Sequence, residues 1–169
     1  QAVIDAAYQN AQLREQEVPL ASTPDSVQNR LTVDISLEGV TELVIPQATV
    51  LKMQQTQADY NFYYQGIVLT VSADTIAACD GDMDLKVFIQ RTPDFGAGFD
   101  ALYLKKRNTA VLDQVVTNVV LSADKAGNIA YIFGKDAQSG YQLLYTEQIS
   151  ELGTAVISAD SNEEYLILY

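Results

Sequence analysis

The chain has 169 residues, of which 48% are hydrophobic, and its 22 acidic residues outnumber its 10 basic ones to give a formal net charge of −12. Such a surface repels phosphate backbones and anionic membranes, so we expect no nucleic-acid partner, and no apolar run is long enough to predict a membrane span. The absence of histidine excludes Ser-His and Cys-His catalytic pairs and the usual zinc and copper sites.

The first 29 residues differ in pattern from the rest of the chain. Apolar residues at helical spacing predict a short amphipathic helix, followed by an extended arm over residues 17–29, which contain two prolines. So short a helix needs a surface to lie on, and we predict that its narrow apolar face is an interface. That face consists of Ile4, Ala7, Tyr8 and Ala11. We predict a two-part chain, with the helix and arm over residues 1–29 and a β-sandwich domain over residues 30–169.

From Arg30 onward, short apolar runs alternate with polar residues and are separated by turn signals. This pattern is typical of strands with one buried and one exposed face. About ten such strands predict an all-β protein, an antiparallel β-sandwich or jelly roll. The predicted strands cover residues 31–38, 41–45, 48–53, 60–72, 84–90, 101–105, 111–121, 129–133, 141–146, 154–158 and 164–169.

Three apolar runs end on the same tripeptide, Ser-Ala-Asp, at residues 72–74, 122–124 and 158–160. Short polar side chains that bond to their own backbone stop strands. The second and third tripeptides are soon followed by another β-rich run. We therefore interpret these two as hairpin turns.

Four aromatic residues cluster within one predicted strand. Alternation places Tyr60, Phe62 and Tyr64 on one face and Tyr63 on the other. A tyrosine face suits stacking on sugar rings or a protein interface. The alternative is that one set fills the core while the other lies on the surface.

Three carboxylates at alternate positions, Asp80, Asp82 and Asp84, are the candidate metal ligands. Oxygen ligands suit Ca²⁺, and Gly81 permits the backbone to loop so that they converge. If the segment is extended, the carboxylates fan out instead and the run is a solvated turn. The basic run at residues 105–107 is interpreted as a solvated strand end.

The last five residues are apolar throughout. An exposed terminal strand of this kind would aggregate, so it is either interior or paired with another molecule. We predict that Tyr165, Ile167 and Tyr169 contribute to an interface.

These features predict a non-enzymatic structural subunit without catalytic residues. We expect it to assemble through its N-terminal arm and C-terminal strand with copies of itself or another structural subunit, as a surface filament or a virion coat or decoration layer. Because the chain begins with Gln1 rather than methionine, we expect a processed chain located outside the cell, on the cell surface or in a virion.

The alternative hypothesis is a secreted, calcium-dependent glycan-binding or adhesion module. In that case the three aspartates hold calcium, the only cofactor we consider, and the tyrosine cluster faces a glycan.

Overall fold

The structure, a computed structural model, describes residues 31–135, 138 and 140–169. The predicted N-terminal helix and arm, with Ile4, Ala7, Tyr8 and Ala11, lie outside the described residues. Within them the chain forms twelve strands and a few short helices, which confirms the predicted all-β sandwich.

In chain order the strands are β1 Thr32–Ser36, β2 Val44–Ile45, β3 Asp59–Tyr64, β4 Ile67–Val71, β5 Met83–Asp84, β6 Val87–Gly96, β7 Phe99–Lys106, β8 Val116–Val120, β9 Ile129–Lys135, β10 Gln142–Gln148, β11 Thr154–Ile157 and β12 Glu164–Leu168. The helices are α1 Gln47–Thr56, α2 Ala73–Ala77, α3 Thr109–Leu112 and a 3₁₀ turn at Ala123–Lys125.

Two five-stranded sheets make up the sandwich. Sheet I has the strand order β1-β3-β4-β8-β11, and sheet II has the order β10-β9-β12-β7-β6. Strands β2 and β5 form a separate ribbon. All pairs are antiparallel except β1 and β3, which are parallel.

Alternating side chains from both sheets form one hydrophobic core. Tyr60, Phe62 and Tyr64 are buried in it, while Tyr63 lies on the opposite face and is exposed, which confirms the core-and-surface alternative for this cluster. The buried hydroxyls have partners: Tyr64 donates to the carbonyl of Leu85, and Tyr60 Oη lies 3.0 Å from a threonine hydroxyl. The cluster is therefore structural rather than a ligand platform.

The Ser-Ala-Asp tripeptides lead the chain out of sheet I. They follow β4, β8 and β11, which are neighbours in sheet I, whereas β9 and β12 belong to sheet II, so the hairpin interpretation is wrong. Ser72 Oγ accepts a hydrogen bond from the Thr75 amide and caps α2, and Ser122 Oγ accepts from the Asp124 amide at the 3₁₀ turn. A side chain that starts a helical turn redirects the strand end out of the sheet.

Three of the predicted strands differ from the observed elements. Residues 48–53 lie in α1, whose buried residues follow a helical period, with Val50 and Met53 facing the core. Residues 60–72 form two strands because Gln65 and Gly66 adopt positive φ angles and turn the chain. Residues 111–121 begin in α3, and only β8 is extended, between β4 and β11 in sheet I.

The apolar C-terminal strand is interior. β12 pairs with β7 on one side and β9 on the other, and Tyr165, Ile167 and Tyr169 are buried within the chain's own core. Of the two alternatives stated for this strand, the structure shows the interior one. These three side chains are therefore not available to a partner, contrary to their predicted role at an interface.

Candidate interaction surface

The three candidate metal ligands are not brought together. Asp82 Oδ1 accepts a hydrogen bond from the Gln47 amide at the start of α1, 2.8 Å away. Asp84 instead bonds the backbone amide and the ammonium group of Lys86. Only Met83–Asp84 of this segment is a strand, and the carboxylates of Asp82 and Asp84 are directed at separate partners. Within residues 31–135, 138 and 140–169, no three Cys, Asp or Glu side chains are grouped to hold a metal ion.

The outer face of sheet II carries a continuous group of apolar and aromatic side chains, which we call the aromatic face. Cross-strand partners point to the same side of a sheet, so the register identifies its members. One row runs across the sheet through Tyr103, Leu166, Phe133 and Leu143, and the next contains Leu168 and Tyr131. The aromatic face consists of Phe88, Phe99, Tyr103, Ile129, Tyr131, Phe133, Leu143, Leu166 and Leu168.

Contacts between rings hold side chains of the aromatic face in place but leave the face exposed to solvent. Phe88 meets Tyr103 edge to face with ring centroids 6.0 Å apart, and Phe99 meets Tyr131 in the same way at 5.7 Å. Nevertheless Phe88 and Leu143 remain 43% and 52% exposed. Aromatic side chains that are already ordered but still exposed to solvent lose little conformational entropy when a partner binds to them.

One end of the aromatic face is charged. Glu164 lies between Lys105 and Lys135, with nitrogen–oxygen distances of 3.4 and 3.3 Å, and also accepts a hydrogen bond from Tyr103 Oη at 2.9 Å. The Tyr103 hydroxyl and the two ammonium groups hold the pKa of Glu164 below its usual value. Two lysines against one carboxylate leave this end positive on an otherwise acidic protein.

No protein-family model, curated protein or solved structure matches this chain. None of the helices in the described part of the chain has the length and apolar character needed to cross a membrane. The chemistry of the described surface is therefore the basis for a functional proposal. The sequence signal for the aromatic face is that β9 and β12 carry apolar residues on both sides. A strand with a single buried side would show apolar residues at every second position instead.

A second cluster, around Lys106, lies inside the fold. The Lys106 side chain is 4% exposed, and its Nζ lies 2.7 Å from the Asp160 carbonyl oxygen and 3.2 Å from Asp113 Oδ1. The same atom lies 5.3 Å from the centre of the Tyr165 ring, whose hydroxyl donates to Asp160. We call this group the Lys106 cluster.

The interpretation of residues 105–107 as a solvated strand end is wrong for Lys106. Alternation along β7 sends Lys105 outward and Lys106 inward, on the same side as Leu104. The buried ammonium then joins β7 to the loop before β8 and the loop before β12. The cluster is a structural ion pair network, because the ammonium group donates to the Asp113 carboxylate and the Asp160 carbonyl group and lies 3.8 Å from the Asp160 carboxylate.

We expect the fold to lose stability as pH rises above 10. Burial and the neighbouring Glu164 raise the pKa of Tyr103 to about 12, and burial raises the pKa values of Tyr64 and Tyr165 above the usual 10. Above pH 10 the unfolded chain loses these protons while the folded chain keeps them, so unfolding is favoured as pH increases toward 12.

The measurement is a paired titration of tyrosinate absorbance and far-ultraviolet circular dichroism. Tyrosinate formation by these buried residues should coincide with the loss of secondary structure. Complete tyrosine ionisation near pH 10 with an unchanged dichroism spectrum would contradict the expectation.

Proposed function

We propose that this protein is a non-enzymatic structural subunit that assembles with further copies of itself, as a filament or coat layer outside the cell or in a virion. The aromatic face is the observation that supports this proposal. Its nine side chains lie across the five strands of sheet II, and three of them, Phe88, Ile129 and Leu143, are more than two-fifths exposed. Contiguous exposed apolar patches on soluble proteins often mark interaction sites.

The composition of the aromatic face resembles that of protein interfaces. Tyr and Phe are enriched at interfaces because they contribute large contact areas with few rotatable bonds. Lys105 and Lys135 stand at its rim, half exposed, where charges set orientation and association rate rather than affinity. A partner therefore needs an apolar centre and acidic groups at the edge that meets the lysines. Another copy of this acidic chain meets the charge requirement.

The glycan-binding alternative has lost the two features from which it was derived. The carboxylates of Asp82 and Asp84 have separate backbone partners, and Tyr60, Phe62 and Tyr64 face the core. No other described observation favours that function over assembly.

Assembly of the full chain is tested by sedimentation velocity and electron microscopy. We expect the parent protein to form oligomers and Leu143→Glu to sediment as a monomer, because a carboxylate would be buried without a partner at the contact. Leu51→Glu is the matched control: Leu51 on α1 is equally exposed, at 52%, but lies away from sheet II. A monomeric parent protein, or equal effects of the two substitutions, would overturn the proposal.

The predicted N-terminal interface is tested in the same experiment with Tyr8→Asp in the full chain. If residues 1–29 reach a neighbouring copy, this substitution weakens assembly without changing the dichroism spectrum. If Tyr8→Asp leaves the oligomer intact while Leu143→Glu dissociates it, the aromatic face mediates assembly without the arm.

A further inference from the structure

The outer face of sheet I has a chemistry that complements the aromatic face. At its centre the register places Val116 beside Thr70, and Asn118 between Val68 and Val156. Tyr63, Val116 and Val120 are each about two-fifths exposed, at 39%, 38% and 40%. This surface, the valine face, is smaller in side-chain size than the aromatic face and lies on the opposite side of the sandwich.

The side-chain charges on the strands of the two outer faces differ in sign, although Arg91 of β6 reaches β8 and donates to the Val120 carbonyl oxygen at 2.6 Å. None of the five strands of sheet I contains lysine or arginine, and their only charged residues are Asp34 and Asp59. Asn61 Nδ2 donates to Asp34 Oδ1 at 2.9 Å, and Thr70 Oγ1 donates to Asn61 Oδ1 at 2.7 Å, so among the described residues this carboxylate is held in place by a side-chain amide. The aromatic face instead presents Lys105 and Lys135 at its rim.

We propose that the aromatic face of one copy docks on the valine face of the next copy, so that subunits stack in one direction. This inference rests on the proposed function and specifies its partner. Pairing two aromatic faces brings together two faces that each carry Lys105 and Lys135, whereas stacking sets these lysines against a face whose strands carry Asp34 and Asp59 and no cation. Because the two faces lie on opposite sides of the subunit, a stack of docked copies keeps one free face at each end. Further copies can therefore be added to it.

The point at which residues 1–30 join the described chain agrees with this arrangement. Those thirty residues join the described part at β1, the edge strand of sheet I, beside the valine face. A segment that begins there starts at the junction between stacked copies.

Two blocked variants of the full chain test the direction of stacking. Leu143→Glu blocks the aromatic face and Val116→Glu blocks the valine face. In a one-directional stack each variant alone is a monomer, but an equimolar mixture forms a heterodimer that grows no further, since the two faces left at its ends are the blocked ones. Sedimentation velocity of the separate and mixed variants measures this.

The result that overturns the inference is a Val116→Glu protein that still dimerises, because two aromatic faces would then pair with each other while the proposed function stands. A mixture without a heterodimer also overturns it. If dichroism shows that Val116→Glu does not fold, Asp34→Lys on the exposed edge strand replaces it as the variant that blocks the valine face. A Leu143→Glu protein that assembles like the parent contradicts the proposed function itself.

Discussion

Replacing Gly153 with alanine is expected to lower the free energy of unfolding by about 3 kcal/mol or more, from the combined effects of backbone strain and overpacking. Gly153 has a φ of 78° in the turn before β11. A Cβ atom there would lie 2.4 Å from the carbonyl carbon of Ser122 and 2.5 Å from the amide nitrogen of Ala123. These are backbone atoms at the end of β8, and the Leu121 amide also donates to the Gly153 carbonyl, so neither segment moves without breaking the junction.

Gly39→Ala is the matched control for this substitution. Gly39 has nearly the same angle, with a φ of 72°, but no atom lies within 4 Å of the position that a Cβ atom would occupy there. Its expected destabilisation is about 1 kcal/mol, the left-handed backbone penalty alone. Urea unfolding of both variants measures the difference, and equal destabilisation would contradict the steric explanation.

Removing a carboxylate from the Lys106 cluster is the second large effect that we expect. Asp160→Ala leaves the buried Lys106 ammonium with one carboxylate and removes the acceptor of the Tyr165 hydroxyl. Breaking a buried pair from one side destabilises by about 3–5 kcal/mol in other proteins, and the 29% exposure of Asp160 places the expected loss at about 3 kcal/mol.

A double-mutant cycle separates this charge effect from lost packing. With Lys106→Met in the same chain, Asp160→Ala no longer removes a counter-charge from a buried cation, so its additional effect should fall to about 1 kcal/mol. Lys125→Met is the control, because Lys125 is more exposed and lies 4.0 Å from Asp100, and we expect a change within about 0.5 kcal/mol. Additive effects at Lys106 and Asp160 would show that the cluster is not coupled.

The period-two pattern predicted which side chains of a strand share a face. Val33 and Ile35 are buried with their polar neighbours outside, and Tyr63 points away from Phe62. This information is local, because neighbouring residues on an extended chain point to opposite sides whatever the strand pairs with. The same rule places Lys106 inward, and only its charge led to the opposite interpretation.

The pairing of strands was not predictable from such local signals. A polar tripeptide after a strand is compatible with a hairpin and with a crossing between sheets, and the three Ser-Ala-Asp sequences turned out to be of the second kind. The alternate aspartates likewise permitted either a loop or an extended strand. The backbone amides that they bond, at Gln47 and Lys86, decide between these possibilities, and Gln47 is far away in the sequence.

The amino-acid sequence by itself determined the β character of this protein and the faces of its strands. The tertiary structure decided that the C-terminal strand is central, that the Lys106 ammonium is buried and that the aromatic face and the valine face lie on opposite sides. The physical reason is that side-chain direction follows from the backbone of a few residues, whereas sheet membership depends on contacts between segments far apart in the chain.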